Sequence, residues 1–397
     1  MRIVHILDTL DPIDGGPPQV AIRQASALAG LGHEVSILHC RPSPDRREAI
    51  DQLVRGTHGH ERVKILELDR TAIRKFAGKA RGESLDVLRG TEWLQLHQIW
   101  HPMLRAVADW ARRHGVPYSM RPAGSLSRWM LGQKRWKKRL GLAIGYRAMI
   151  DGAAFLQALN KDESHEISFF GPRVPVEIIS NGIFPSEVAD LPPRGAFASR
   201  CPALAGRRFI VSVGRLHYSK GFDTLLEAFL RLAPRHADLD LVLVGPDGGA
   251  RADLEARARA AGFGSRLHLP GAIYGREKFA ALVDADVFCL PSHHEAFSNA
   301  IIEAMAASVP CVISKGAHFP EVAERGAGLV VDIHPKAVAD AIESVLADSP
   351  KRAAMAARAR ELAHSYLWPE VGARLADTFA RYQSARFSDG GTPRSRG

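Results

Sequence analysis

A chain of 397 residues exceeds one comfortable hydrophobic core, so two domains of about 150–200 residues each are expected. Apolar residues make up 46% and charged residues 24%, proportions ordinary for a soluble globular protein, and both halves can bury a full core. A net charge of +10 points to a polyanionic partner or an anionic membrane surface. The basic residues are spread out, and there is no helix-turn-helix, zinc-finger or aromatic RNA-binding signature, which argues against nucleic acid.

The N-terminus, Met1-Arg-Ile-Val-His-Ile-Leu-Asp, is too short and too quickly polar for a signal peptide. No apolar run approaches the length that spans a bilayer. Cys40, Cys201, Cys289 and Cys311 are scattered without metal-ligand spacing, so free thiols in a reducing compartment are expected. The expected location is cytoplasmic, or peripheral at the inner face of the cytoplasmic membrane.

In chain order, an apolar strand at 2–7 leads through a loop holding Gly15, Gly16, Pro17 and Pro18 into a helix from about 18 to 30. A second strand follows at 34–39. This is the opening β–loop–α–β of a parallel sheet. The glycine spacing differs from the dinucleotide fingerprint and argues against a nicotinamide cofactor. Further strands are expected at 63–66, 94–97, 117–121, 154–157 and 176–179, with helices between them. Prolines and glycines from 183 to 207 read as a linker. The alternation then restarts, with strands at 209–213, 239–244, 266–269, 287–290 and 311–313. Helices are expected at 221–233, 250–261, 276–283, 298–307, 335–347, 350–364 and 370–386. The expected division is a first α/β domain at 1–185, a linker at 186–207 and a second α/β domain at 208–368. A helix at 369–387 and a disordered tail at 388–397 complete it. The fold class is therefore α/β, with two Rossmann-like domains facing a cleft.

Two stretches of the second half carry chemistry. Gly214-Arg215-Leu-His-Tyr-Ser-Lys220-Gly221 follows a strand and opens a helix. Its guanidinium and ammonium can hold the two phosphates of a pyrophosphate, unless the loop is merely a solvated basic surface. Pro291-Ser-His-His-Glu295-Ala-Phe297-Ser298-Asn299 follows another strand and opens a helix that contains Glu303. A helix N-terminus attracts anions, with Ser298 or Asn299 as its cap. A carboxylate on each side suits a ligand with hydroxyls at both ends and phosphate between, which describes a nucleotide-sugar. Gly245 and Pro270 close the next two strands on the same sheet edge. Two glutamates eight apart are common by chance; the surrounding strand, cap and phosphate loop make this pair informative.

This combination resembles the retaining glycosyltransferases of family 4, with the two-domain GT-B fold. The stretch Leu10-Asp11-Pro12…Gly15-Gly16-Pro17 and the block around 97–140 resemble a bacterial exopolysaccharide branch of that family. The resemblance implies that Arg215 and Lys220 neutralise the donor diphosphate and stabilise its departure. Glu303 would bind the ribose hydroxyls, and Glu295 the donor sugar. Amides around Phe297, Ser298 and Asn299 would meet sugar or phosphate, and Gly15 and Gly16 would let the first-domain loop approach the diphosphate. It also implies a last helix that returns to the first domain and same-face attack without a dedicated nucleophile. No cofactor and no metal is expected, since Arg, Lys and a helix dipole supply the electrostatics. Expected partners are a nucleotide-sugar and a glycan or polyprenyl-linked acceptor. Acceptor candidates are His97, Trp100 and Arg121. Two departures stand out: Ala123 replaces a frequent histidine before Gly124, and Ser308 stands where glycine is common. Lys134-Arg-Trp-Lys-Lys-Arg139, with Trp129 nearby, is expected to favour an anionic membrane leaflet, or else is a solvated helix face. Alternative functions are an epimerase-type nucleotide-sugar enzyme of the same fold, or a non-catalytic nucleotide or glycan binder.

Overall fold

The structure, a computed structural model, describes residues 1–69, 71, 73, 74, 79, 80 and 85–388. The expected tail lies outside these residues, except for Ser388 at the end of the last helix. The chain packs as two compact units, Met1–Asn181 with Trp368 onward, and Gly182–Leu367.

In the first unit, strands β1 (Arg2–Ile6), β2 (Glu34–Cys40), β3 (Val63–Leu68), β6 (Trp93–His97), β7 (Tyr118–Arg121), β8 (Leu156–Ala158) and β9 (Val176–Ile178) form one parallel sheet. Its order is β3-β2-β1-β6-β7-β8-β9. Between β3 and β6, β4 (Ile73–Arg74) and β5 (Lys79–Ala80) make a separate antiparallel ribbon. Helices α1 (Gly16–Gly30), α2 (Pro44–Arg55), α3 (Pro102–His114), α4 (Arg128–Gly132), α5 (Arg135–Gly141), α6 (Arg147–Asp151) and α7 (Lys161–Phe170) connect the strands.

One face of this sheet carries a buried polar seam. The parallel register aligns His5 with Gln95, Gln95 with Ser119, and His97 with Arg121. The Gln157 side-chain amide oxygen accepts from Gln95 at 2.9 Å and from Gln24 of α1 at 3.3 Å, while the Gln157 amide donates to the Ile179 carbonyl at 2.8 Å. Trp93 Nε1 donates to Ser119 Oγ at 2.9 Å. Such groups are tolerated in a core only because they bond one another.

The second unit holds α8 (Pro185–Val188), β10 (Arg208–Val213), α9 (Phe222–Leu232), β11 (Leu239–Val244), α10 (Arg251–Ala260), β12 (Leu267–Gly271) and α11 (Gly275–Asp284). It continues with β13 (Val287–Leu290), α12 (Asn299–Ala306), β14 (Cys311–Ser314), α13 (Glu321–Glu324), β15 (Gly328–Val331), α14 (Pro335–Ala347) and α15 (Ser349–His364). The parallel sheet has the order β12-β11-β10-β13-β14-β15. Every residue of β11, β13 and β14 is buried, as expected for strands covered on both faces. Cys289 and Cys311 lie among them, and burial pushes both thiols up. No disulfide joins the four cysteines, all of which are among the described residues.

Two expectations need correction. The stretch 186–207 is not a free linker but belongs to the second unit. Phe197 and Leu204 enter its core, and the buried Asp284 carboxylate accepts from the amides of Gly195, Phe197 and Ala198 at 2.5, 2.8 and 2.9 Å. Prolines and glycines there shape a path fixed by one carboxylate. Strand β15 was not foreseen, because four residues between two glycines and a turn carry too little pattern.

The last helix, α16 (Trp368–Ser388), belongs to the first unit. Trp368, Val371, Leu375 and Phe379 recur at helical spacing and are all fully buried. Phe379 stacks on Trp93 with ring centroids 4.6 Å apart, and Gly372 passes close over Ala27 of α1. Tyr382 donates to Glu177 of β9 at 2.7 Å, and burial together with that carboxylate pushes its phenol up to about 12.

Each sheet has one point where the strand order reverses, between β1 and β6 in the first unit and between β10 and β13 in the second. In open α/β sheets the loops leaving such strands line the ligand crevice.

Candidate active site

In the second unit the switch-point loops are 214–221 and 291–298. His293 N donates to the Ser219 carbonyl at 2.9 Å, which ties them together. Gly221 sits at φ +67°, and a Cβ there would lie 2.0 Å from the Pro291 carbonyl oxygen. Only glycine lets the two loops meet, so its close approach serves this loop–loop contact.

Lys220 Nζ stands 2.6 Å from Glu295 Oε1, which also accepts from Ser292 Oγ at 2.7 Å. The Lys220 stem lies across Gly214. Arg215 leaves the same loop exposed to solvent. One and a half turns into α12, Glu303 is buried, and its Oε1 meets Lys278 Nζ of α11 at 2.6 Å. Ser298 is the N-cap of α12 but makes no side-chain cap bond, which leaves that duty at the helix end to other groups, a ligand included. Asn299 is the first helical residue. The Phe297 ring packs against Phe319 and Tyr366 at 5.4 and 6.3 Å between centroids, so it supports the loop from the core side. Gly245 is buried at the end of β11, its amide donating to the Gly271 carbonyl at 2.8 Å, and Pro270 is exposed on β12. The second unit thus brings Gly214, Arg215, Lys220, Glu295, Ser298 and Glu303 to one sheet edge.

In the first unit, Gly15 adopts φ +82° as the N-cap of α1, and Gly16 opens the helix with open space around it. Pro17 and Pro18 remove two of the first-turn amides, so this helix end is poorer in anion donors than that of α12. His97 and Arg121 are buried to 0% and 2% exposure. His97 Nε2 lies 2.9 Å from His5 Nδ1, and the rings stack at 5.2 Å. Burial pulls His5 down to about 3 and His97 well below its ordinary value. Arg121 Nη2 donates to Asn181 at 2.8 Å, and burial lowers its guanidinium to about 10. Both side chains therefore hold the floor of the sheet edge. Trp100 is partly exposed, with Nε1 donating to the Ser125 carbonyl at 3.2 Å. Ala123 takes φ +49° beside Gly124, whose amide donates to the buried Glu163 at 2.6 Å. Ser308 takes φ +60° just after α12, the left-handed position where helices favour glycine.

Two family models match the chain. "Glycosyl transferase 4-like domain" matches residues 15–182, and "Glycosyl transferases group 1" matches 202–362. The chain belongs to glycosyltransferase family 4. It is 29% identical to the glycogen synthase of Mycobacterium tuberculosis over 416 aligned positions, covering 96% of this chain and 94% of that protein. It is 28% identical to the D-inositol 3-phosphate glycosyltransferase of Xylanimonas cellulosilytica over 301 positions, 72% of each chain. Among solved structures, Anabaena HepE in complex with UDP and glucose is similar with a TM-score of 0.78 and 17% identity, over 96% of this chain and 100% of that one. That likeness shows the GT-B fold.

For this glycosyltransferase, sequence reasoning missed Lys278. A lysine on an amphipathic helix reads as a solvated-face charge, and only the packing of α11 on α12 brings it to Glu303. It also missed Asp8 and His101, which line a first-unit cavity. His101 before Pro102 carried a usable signal, since proline favours the first turn of a helix and marks its predecessor as cap.

Proposed function

We propose that this glycosyltransferase moves a sugar from a nucleotide-diphosphate donor to a glycan or polyprenyl-linked acceptor in polysaccharide biosynthesis, retaining anomeric configuration and needing no metal. The observation that carries the reading is the Lys220–Glu295 pair at 2.6 Å beside exposed Arg215 at the switch point. The cation and the carboxylate neutralise each other, so neither is an unpaired, partly buried charge. An arriving pyrophosphate recruits Lys220 and Arg215, while the sugar's hydroxyls supply new donors to Glu295. Glu303, held by Lys278, accepts from the ribose hydroxyls. The α12 N-terminus, Arg215 and Lys220 stabilise the negative charge that grows on the departing diphosphate. That diphosphate oxygen takes the acceptor proton. A nucleotide-sugar donor is in keeping with HepE, whose structure holds UDP and glucose.

Membrane contact is supported by a cluster on the first unit. Trp129, Trp136, Leu140 and Ile144 are exposed to 54%, 67%, 55% and 48% and are interleaved with Lys134, Arg135, Lys137, Lys138 and Arg139. Aromatic and basic side chains together suit the interface of an anionic leaflet. No helix among the described residues is long and apolar enough to cross a membrane.

The test is a thermal-shift screen of UDP-, GDP- and dTDP-sugars with the whole chain, because a bound donor raises the melting temperature by mass action. A shift with one donor that disappears in Lys220→Ala supports the reading; no shift with any of them rejects it. Product anomer by NMR decides retention. Reversible loss of turnover in a strong chelator would count against metal independence. Liposome binding indifferent to anionic lipid content would remove the membrane contact.

A further inference from the structure

Strands β10 and β11 are neighbours in the second sheet, and the loops that leave them are stapled into one piece. Leu216 N donates to the Pro246 carbonyl at 2.9 Å, and the Leu216 carbonyl accepts from the Gly248 and Ala250 amides at 3.0 and 3.1 Å. The Asp247 carboxylate accepts from the amides of Gly249 and Arg251 at 2.8 and 3.2 Å, which fixes the turn into α10. These bonds account for a rigid loop. They do not account for glycine at 248, whose backbone is not in the left-handed region.

The space that a side chain at 248 would take is filled by Arg215. A Cβ there would lie 2.9 Å from Arg215 Cγ and 3.0 Å from its Cδ, whereas carbon atoms in comfortable contact stand about 3.5–4.0 Å apart. The arginine stem thus lies in a slot that only glycine leaves open. The two cations of this sheet edge are therefore held by different means. Lys220 is pinned by charge, through Glu295 at 2.6 Å. The Arg215 guanidinium is exposed and has no hydrogen bond or ion pair among the described residues. An exposed arginine of this kind samples many rotamers, and a ligand that engages it must freeze them. A slot for the stem removes part of that loss beforehand.

We infer that Gly248 is a positioning residue: its bare backbone fixes the Arg215 stem, so that Arg215 and Lys220 present a preset spacing to two linked phosphates. The inference rests on the nucleotide-diphosphate reading and adds to it how a diphosphate is told from a monophosphate. A diphosphate engages both cations at once, so it gains from their spacing. A single phosphate group can pair with either cation wherever that cation sits.

The experiment is titration calorimetry of the whole chain with UDP, GDP and dTDP and with the corresponding monophosphates. It compares the wild type with Gly248→Ala, Arg215→Ala and the double variant. Gly248→Ala is expected to weaken the bound diphosphate by about three- to tenfold and its monophosphate by less than about twofold, at an unchanged melting temperature. The loss is expected to vanish in the Arg215→Ala background, which lacks Cγ and Cδ. A loss that instead arises at the Leu216 carbonyl, 3.0 Å from the added methyl, would persist there. Gly249→Ala, in the same loop with nothing within 4 Å of its Cβ, is the control for a loosened loop and should leave the preference for diphosphate unmoved. Unchanged diphosphate affinity in Gly248→Ala, an equal loss of both ligand types, or an equal loss with and without Arg215 overturns the inference. Should Gly248→Ala fail to fold, heteronuclear relaxation of Arg215 Nε in the wild type alone decides, its signal assigned by its absence from Arg215→Lys. An order parameter above about 0.6 is expected, and a lower one removes the slot. If no nucleotide binds the wild type, the donor reading fails while the relaxation measurement still judges the slot, so the two failures are distinguishable.

Discussion

The two switch points solve the same problem with opposite materials. The second unit sets full charges against each other in short ion pairs, Lys220–Glu295 and Lys278–Glu303, both at 2.6 Å. The first unit sets neutral dipoles against each other beneath its edge: His5 with His97, and Gln95 with Gln157 and Ser119. Charges paired with charges can exchange partners when an anionic ligand arrives. A buried neutral network offers no such exchange and serves as a stiff platform.

The contrast can be broken at several points. The largest effect is expected from ending the chain at Leu367. Burying Trp368, Val371, Leu375 and Phe379 contributes about 1.5–3 kcal/mol each, which together rivals the whole stability of a domain. The first unit should lose its cooperative transition in calorimetry while the second keeps its own; two intact transitions would refute the dependence. Next, Lys220→Met and Arg215→Met should each lower kcat/KM by about ten- to a hundredfold, the worth of a charge-assisted phosphate contact at about 1.5–3 kcal/mol. Unchanged turnover in both would remove the exchangeable-charge account.

A smaller effect concerns acid. His5 and His97 are held neutral by burial, with folded values below those of the unfolded chain. The unfolded state therefore binds more protons below about pH 6.5, and stability falls as pH drops from there towards the folded His5 value of about 3. The slope is at most about 1.4 kcal/mol per pH unit for each histidine. Denaturant titrations from pH 7 to 4 should show it in the first unit, and His5→Asn should flatten it. An equal slope in His5→Asn would assign the acid sensitivity elsewhere. The smallest change is expected of Lys278→Met: a rise of about three- to tenfold in donor KM with kcat nearly kept, since the lysine acts by orienting Glu303. A fall in kcat at constant KM would place Lys278 nearer the reacting centre.

Much of this was legible beforehand, and the exceptions share a cause. Strands such as β13 are continuous apolar runs, and the helices carry their period openly. The loops 214–221 and 291–298 were readable together because Arg215, Lys220 and Glu295 follow strand ends, where topology delivers them to one sheet edge. Pairings made through space were not readable. Lys278 meets Glu303 only after two helices pack, Asp284 organises 195–198 from almost ninety residues away, and His97 is sealed by His5 from another strand. Residue type told what each could do, and only the sheet order told whom it would meet.

The return of α16 to the first unit has a consequence for synthesis. That unit is assembled from both ends of the chain, with the other unit inserted between them. A ribosome therefore finishes Gly182–Leu367 before Trp368 exists to cover Trp93. During that interval the emerging first half carries an uncovered hydrophobic seat, a natural binding site for a holding chaperone. The enzyme's N-terminal half is made first and completed last.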